Sequence, residues 1–246
     1  MIPQKIHYCW FGRNPLPADA LKCIASWRKY LPGYEIIEWN EDNFDVNAIE
    51  YTAQAYEAKK YAFVSDYARF KILYEHGGLY FDTDVEVIRP MDDIIAAGAF
   101  MGIEKSLATT AGQGWIGVNA GLGLGAEPGL PIYRKILDFY NRRSFLRETS
   151  TVVTNVTQLL ILEGLRNENE MQLVAGIRIY PAEYFCPMDS TTGITQTTAA
   201  TVSIHHYSCS WINHNSFNYQ LYVLKKALIK IFGAKFVMKF ASIIKR

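Results

Sequence analysis

The stretch YAFVSDYARFKILYEHGGLYFDTDVEVI, residues 61 to 88, constrains this chain more than any other. Its first part is helical in pattern. Val64, Tyr67, Ala68, Phe70, Ile72 and Leu73 make it apolar nearly all round, which predicts burial. Gly77 and Gly78 end it as a C-terminal cap. The residues that follow alternate as a strand does. Leu79, Phe81, Thr83, Val85 and Val87 share one face, and Tyr80, Asp82, Asp84 and Glu86 share the other. Upstream, KIHYCWFG and YEIIEWN read as strands, with ADALKCIASWRKYLPG as a helix between them. This alternation predicts an α/β fold with a largely parallel central sheet flanked by helices. In such sheets ligands bind beyond the carboxyl ends of the strands.

Three carboxylates on one strand face repel one another unless something positive sits among them. A divalent cation meets that need, because hard oxygen ligands suit Mg²⁺ or Mn²⁺. Mg²⁺ takes one or two carboxylates and completes its shell with phosphates and water, so Asp82 and Asp84 leave room for a diphosphate. The plain alternative is a solvated strand face. Two features weigh against it: the flanks are apolar and aromatic, and the double glycine permits close backbone approach.

Asp66 and Arg69 stand three apart on the same helix. On an exposed helix this is a weak surface pair. On a buried one it is expensive unless well partnered. Placed just before the acidic strand, it is suited to present a carboxylate and a guanidinium to a polyhydroxy ligand.

These residues resemble the S-D-x-x-R-x-x-x-L-x-x-x-G-G-x-Y-x-D-x-D signature of glycosyltransferase family 32, which includes bacterial capsule and O-antigen sugar transferases and fungal mannosyltransferases. IPQKIHYCWFG is similar to that family's opening block, and IHHYSCSW to its late H-H-x-x-x-S-W block. The resemblance implies a GT-A type fold and a retaining transferase that uses a divalent cation, Mn²⁺ or Mg²⁺, and a nucleotide diphosphate sugar as donor. Carried over by position, it implies that Trp10 stacks on the base. It places Asp66 and Arg69 on the donor sugar, with Ser65 beside them. It puts Asp82 near ribose and sugar, with Tyr80 alongside, and Asp84 on the metal. His206 is the implied further metal ligand and His205 the alternative, while Ser210 and Trp211 close over the diphosphate. Asn119, in VNAGLGLG, resembles an element near the sugar. The large glucosylating toxins that share the signature have a serine two residues before that tryptophan; Cys209 stands there instead. Without the resemblance, Trp10 reads equally as core. His7 and His76 are assigned to structure.

Charge is uneven along the chain. From residue 215 to 246 there are seven basic residues and no acid, so the other 214 residues carry a net charge of −6. Residues 1–214 are expected to form the catalytic domain and 215–246 a basic amphipathic helical tail. Phe236, Val237, Phe240, Ile243 and Ile244 form its apolar stripe. That stripe either docks on an anionic membrane surface or packs on the acidic body; a lipid-linked glycan acceptor would make docking useful. No nucleic-acid partner is expected. The four cysteines form no C-x-x-C pair, no run of 18 apolar residues occurs, and MIPQKIHYCWFG lacks the charged and apolar pattern of a signal peptide, so none is expected. The expectation is a cytoplasmic protein, peripheral on the inner membrane face.

Two rival readings stay open on the residues alone. In one, Asp82 is the nucleophile and Asp84 the general acid of a phosphatase-like hydrolase. Its motif, however, follows a first strand and carries Thr or Val where Glu86 stands. In the other, the chain is a membrane-binding module without metal or nucleotide affinity.

Overall fold

The structure is a computed structural model that describes residues 1–107, 115–147, 150–190 and 192–208, with 220, 221, 223, 224, 227–229 and 233 beyond them. Ser210, Trp211, Cys209 and nearly all of the basic tail lie outside the described residues. In chain order the elements are β1 (Lys5–Cys9), α1 (Ala18–Tyr30), β2 (Glu35–Trp39), α2 (Glu50–Glu57), α3 (Tyr61–His76), β3 (Gly78–Tyr80), β4 (Val85–Val87) and α4 (Asp92–Ala96). They continue with β5 (Phe100–Leu107), β6 (Trp115–Asn119), β7 (Leu124–Ala126), α5 (Pro131–Tyr140), α6 (Val152–Leu162), β8 (Gln172–Val174), β9 (Ile177–Tyr180), α7 (Ala182–Phe185) and β10 (Ser203–His205).

The α/β class is as expected. The main sheet runs β2-β1-β3-β7-β5-β9-β8, with β6 also on β5. Pairing is parallel through β2-β1-β3 and at β5-β9. It is antiparallel where β7 joins β3 to β5, and at β6 and β8. A second, two-stranded sheet pairs β4 with β10. Among the described residues, no helix is long and apolar enough to cross a membrane.

Helix α3 is the buried centre of the first half. Val64, Ala68, Phe70, Ile72 and Leu73 are fully enclosed. The double glycine after it is a steric necessity. Gly77 has φ +61°, and a Cβ there would stand 2.6 Å from Pro128 Cδ. Gly78 has φ +102°, and a Cβ there would stand 2.7 Å from the Lys5 carbonyl oxygen. Only residues without Cβ let β3 start against β1 at this distance. His7 locks the same corner. Its Nε2 lies 3.0 Å from the Gly77 carbonyl, and its Nδ1 accepts from Trp39 Nε1 at 3.0 Å. His76 stacks on Trp39.

The expected single strand 79–88 is two strands. The chain leaves β3 at Phe81 and makes a turn in which the Val85 N–H donates to the Asp82 carbonyl at 3.0 Å. It then resumes as β4. Trp27, on α1 and fully buried, fixes the restart by donating its Nε1 to the Val85 carbonyl at 2.7 Å. Alternation along the sequence is therefore a poor guide to where the three acids point. Phe81, Val85 and Val87 do enter the core, as a strand would place them.

Candidate active site

The break at Asp82–Val85 brings Asp82 and Asp84 onto one cleft and sends Glu86 elsewhere. Asp82 sits at the end of β3, against α3. There Arg69 is held three ways: its Nε donates to the Ser65 carbonyl at 3.0 Å, and its two terminal nitrogens donate to Asp66 Oδ1 at 3.1 Å and Asp82 Oδ2 at 3.2 Å. Its guanidinium also lies 4.9 Å from the centre of the Tyr80 ring. Asp66 and Arg69 are thus the buried, partnered pair that the apolar helix requires. Tyr80 donates its hydroxyl to Asp82 Oδ1 at 3.0 Å. Burial raises the Asp82 carboxyl above its ordinary range, and Arg69 offsets this only in part.

Asp84 is held from the other side by the segment after β10. The Ser208 N–H and hydroxyl both donate to its Oδ2, at 2.8 and 3.0 Å. His205 Nε2 lies 3.1 Å from its Oδ1. Burial works to raise this carboxyl, but His205 and the two Ser208 donors outweigh it and hold Asp84 well below the usual carboxylate range. His205 is shifted upward in turn: burial disfavours its charge, and the Asp84 carboxylate overcomes that.

The histidine expected in this group was His206, and the structure places it elsewhere. His205 is the last residue of β10 and His206 follows it, and successive residues of an extended chain point to opposite sides. His205 joins Asp84, while His206 Nε2 pairs with Glu86 Oε2 at 2.9 Å on the outer face.

Asp82 and Asp84 open into a cleft of about 450 Å³, within the range of ligand sites. Of the expected residues, Trp10, Ser65, Asp66, Arg69, Asp82, Asp84 and Asn119 line it. Trp10 is half-buried, and its Nε1 is tied to the Asn14 carbonyl at 2.7 Å, which fixes the plane of the ring. Tyr80, expected among the ligand-binding side chains, is buried behind Asp82 and supports it from there. Cys9 also lines the cleft; burial pushes its thiol up to about 12, so it stays protonated.

The structure adds lining residues that the sequence reading did not single out: Glu104, Tyr207 and Ser208. Tyr207 packs edge-on against the His205 ring, at 4.3 Å between centres. Gly121 does not line the cleft but allows it to form. A Cβ there would lie 2.3 Å from Asp82 Oδ2. The quoted NAG and HHYS stretches held Gly121, Tyr207 and Ser208, and Glu104 lies in neither; the roles of all four depend on contacts between chain-distant segments, which spacing cannot show.

The donor set fits a divalent cation. Asp82, Asp84 and His205 each offer a ligand atom, all within 4.8 Å of one another. Two neighbouring ligands of an octahedral ion at about 2.1 Å would stand about 3 Å apart, and Asp84 Oδ1 and His205 Nε2 are 3.1 Å apart. Two carboxylates and one imidazole suit Mg²⁺ or Mn²⁺ chemically.

Comparison with known proteins accords with this geometry. Residues 17–101 match the family model described as a glycosyltransferase sugar-binding region containing a DXD motif. The match includes Asp66, Arg69, Asp82 and Asp84 and stops before Asn119 and His205. An uncharacterized glycosyltransferase of Acanthamoeba polyphaga mimivirus is 27% identical over 211 residues, 78% of this chain and 79% of that protein. The inositol phosphoceramide mannosyltransferase 1 of Schizosaccharomyces pombe is 28% identical over 111 residues, 41% of this chain and only 33% of its own length. Among solved structures, the PaToxG glycosyltransferase is similar, with a TM-score of 0.49 and 20% identity over 66% of this chain and 70% of that one.

Proposed function

We propose that this chain is a retaining glycosyltransferase of the GT-A type. It moves a hexose from a nucleoside diphosphate sugar to a hydroxyl of a growing cell-surface glycan. The donor nucleotide is uridine diphosphate, with guanosine diphosphate the alternative. The acceptor is lipid-linked, and the basic tail docks the enzyme on the inner membrane face. One observation carries the reading: the two aspartates of the DXD region meet His205 in the lining of a cleft whose wall also holds a buried arginine.

Asp82, Asp84 and His205 would hold the cation, Mn²⁺ or Mg²⁺. A divalent ion bound there supplies positive charge beside the diphosphate as it departs. Arg69 adds a second positive centre, fixed before the substrate arrives, so it stabilises developing charge without reorganising. Asp66 faces the same space and can accept a sugar hydroxyl. Trp10 offers a flat, immobilised ring for the base. Ser208 keeps Asp84 ionised and aimed.

The test is calorimetric titration with UDP, with and without Mn²⁺, on wild type and Asp84→Ala. Binding that needs both the metal and Asp84 supports the reading. If neither UDP nor GDP binds under any condition, the transferase reading fails.

A further inference from the structure

One carboxylate in the cleft has no part in the scheme above. Glu104 lies on β5 and lines the same space as Asp82 and His205. The regular pairing of β5 with β6 runs from Gly102–Asn119 to Glu104–Gly117 and then shifts register between Glu104 and Leu107. Such irregularities re-aim side chains and recur beside active sites. Asn119 and Glu104 are diagonal neighbours on the paired strands, and Asn119 Nδ2 donates to Glu104 Oε2 at 2.7 Å. Asn119 is itself fixed, because its Oδ1 accepts from the Gly121 N–H at 2.6 Å. Gly121 is the residue packed against Asp82 Oδ2. One short chain of contacts therefore runs from Asp82 through Gly121 and Asn119 to Glu104.

The other flank of Glu104 is Tyr207. Burial raises the Tyr207 hydroxyl first, and the nearby Glu104 carboxylate and Cys186 thiol raise it further. Cys186 Sγ lies 3.0 Å from that hydroxyl. Glu104 is half-buried, positioned by Asn119, and adjacent to the cation group without being one of its ligands.

The chemistry of such a group is narrow. A carboxylate accepts hydrogen bonds and repels phosphate, so it does not serve the diphosphate. Its place in the cleft that Asp82, Asp84 and His205 also line puts it within reach of what is attached to that diphosphate. A hexose presents hydroxyl donors, and an ionised carboxylate with its two oxygens takes them well. Resting on the transferase reading above, we infer that Glu104 is a specificity-determining residue: its carboxylate, oriented by Asn119, accepts hydroxyl hydrogen bonds from the hexose being transferred. The discriminating power lies in the unpaired state. A sugar that lacks a hydroxyl at the right place leaves a half-buried carboxylate short of a partner.

The experiment compares UDP with UDP-glucose, UDP-galactose and UDP-N-acetylglucosamine in the presence of Mn²⁺, for wild type, Glu104→Gln and Glu104→Asp. Thermal melting is run alongside. In wild type, one nucleotide sugar binds at least about tenfold more tightly than UDP, the size of a hydrogen bond to a charged group. In Glu104→Gln that advantage disappears, while UDP affinity stays within twofold and melting is unchanged. Glu104→Asp keeps the charge but withdraws it by one methylene, and it too loses the advantage. It carries the test if the glutamine variant melts early. A Glu104→Gln enzyme that keeps the wild-type preference overturns the inference and leaves the metal–diphosphate reading intact. Equal loss of UDP and UDP-sugar binding also overturns it, since Glu104 would then serve the cation group. A wild type that binds no nucleotide, UDP or GDP, overturns both.

Discussion

Two histidine–carboxylate pairs sit side by side at one end of the small β4–β10 sheet, built from the same chemistry. His205 meets Asp84 at 3.1 Å, with side-chain exposures of 10% and 15%. His206 meets Glu86 at 2.9 Å, with exposures of 39% and 43%. One pair faces the cleft and the other faces solvent. The difference is one residue of extended chain at the end of β10, which turns the side chain through to the opposite face. It also decides what each pair is for. The inner pair gains Ser208 and Asp82 as neighbours and a space that a cation and its ligand can enter. The outer pair gains water. Close approach of a histidine and an acid is therefore weak evidence of a site until burial and a third ligand are added.

The largest effects should come from breaking the inner pair. Asp84→Ala should weaken Mn²⁺-dependent UDP binding by at least about 100-fold, beyond the 10–100-fold range for losing a supporting residue. Glu86→Ala, measured in the same titration, should leave binding within about twofold. Equal losses would end the distinction between the two faces.

Next comes the histidine itself. His205→Ala should reduce Mn²⁺ affinity by about 10- to 100-fold, whereas His206→Ala should change it by less than about twofold. A direct Mn²⁺ titration by electron paramagnetic resonance would read both. Reversal of the order would restore His206 as the ligand.

A third histidine sharpens the comparison by removing the carboxylate. His7 is fully buried against Gly77 and Trp39, and burial lowers it from 6.5 to about 4. Because the folded value lies below the unfolded one, its effect is absent above pH 6.5. As pH falls from there towards 4, the unfolded chain takes up a proton that the folded one refuses, and stability drops. At pH 5 the loss is about 2 kcal/mol. Denaturant unfolding at pH 7 and pH 5 should show this slope, and His7→Gln should remove that share of it. An unchanged slope would mean that His7 titrates normally.

The smallest effect belongs to the outer pair. A double-mutant cycle on Glu86 and His206 should give a coupling below about 1 kcal/mol, as exposed ion pairs do. A larger value would show that exposure is not what separates the two.

The sequence carries these contrasts unevenly. Residues 61 to 84 are legible because their logic is local: an apolar helix, two glycines and two aspartates, all within a few turns of chain. Trp10, Ser65, Asp66, Arg69 and Asn119 line the cleft as the opening, signature and NAG blocks suggest. Strand alternation misleads at Asp82, where the turn interrupts it. The choice between His205 and His206 depends on the register of β10 against β4, which no local pattern shows. Glu104 and Gly121 depend on the fold bringing β5 and the β6–β7 connection to Asp82. Asp84 finds its serine at Ser208, one position before Cys209, which stands where the toxins that share the signature carry theirs.

Arg69 carries a consequence beyond charge. A free arginine side chain has about 2 kcal/mol of rotamer entropy to lose when it is pinned. Here three acceptors, on Ser65, Asp66 and Asp82, pin it when the chain folds. The disorder is given up once, during folding, where the whole core shares the loss. A ligand arriving later meets a cation already at rest, and its affinity is not reduced by having to still it.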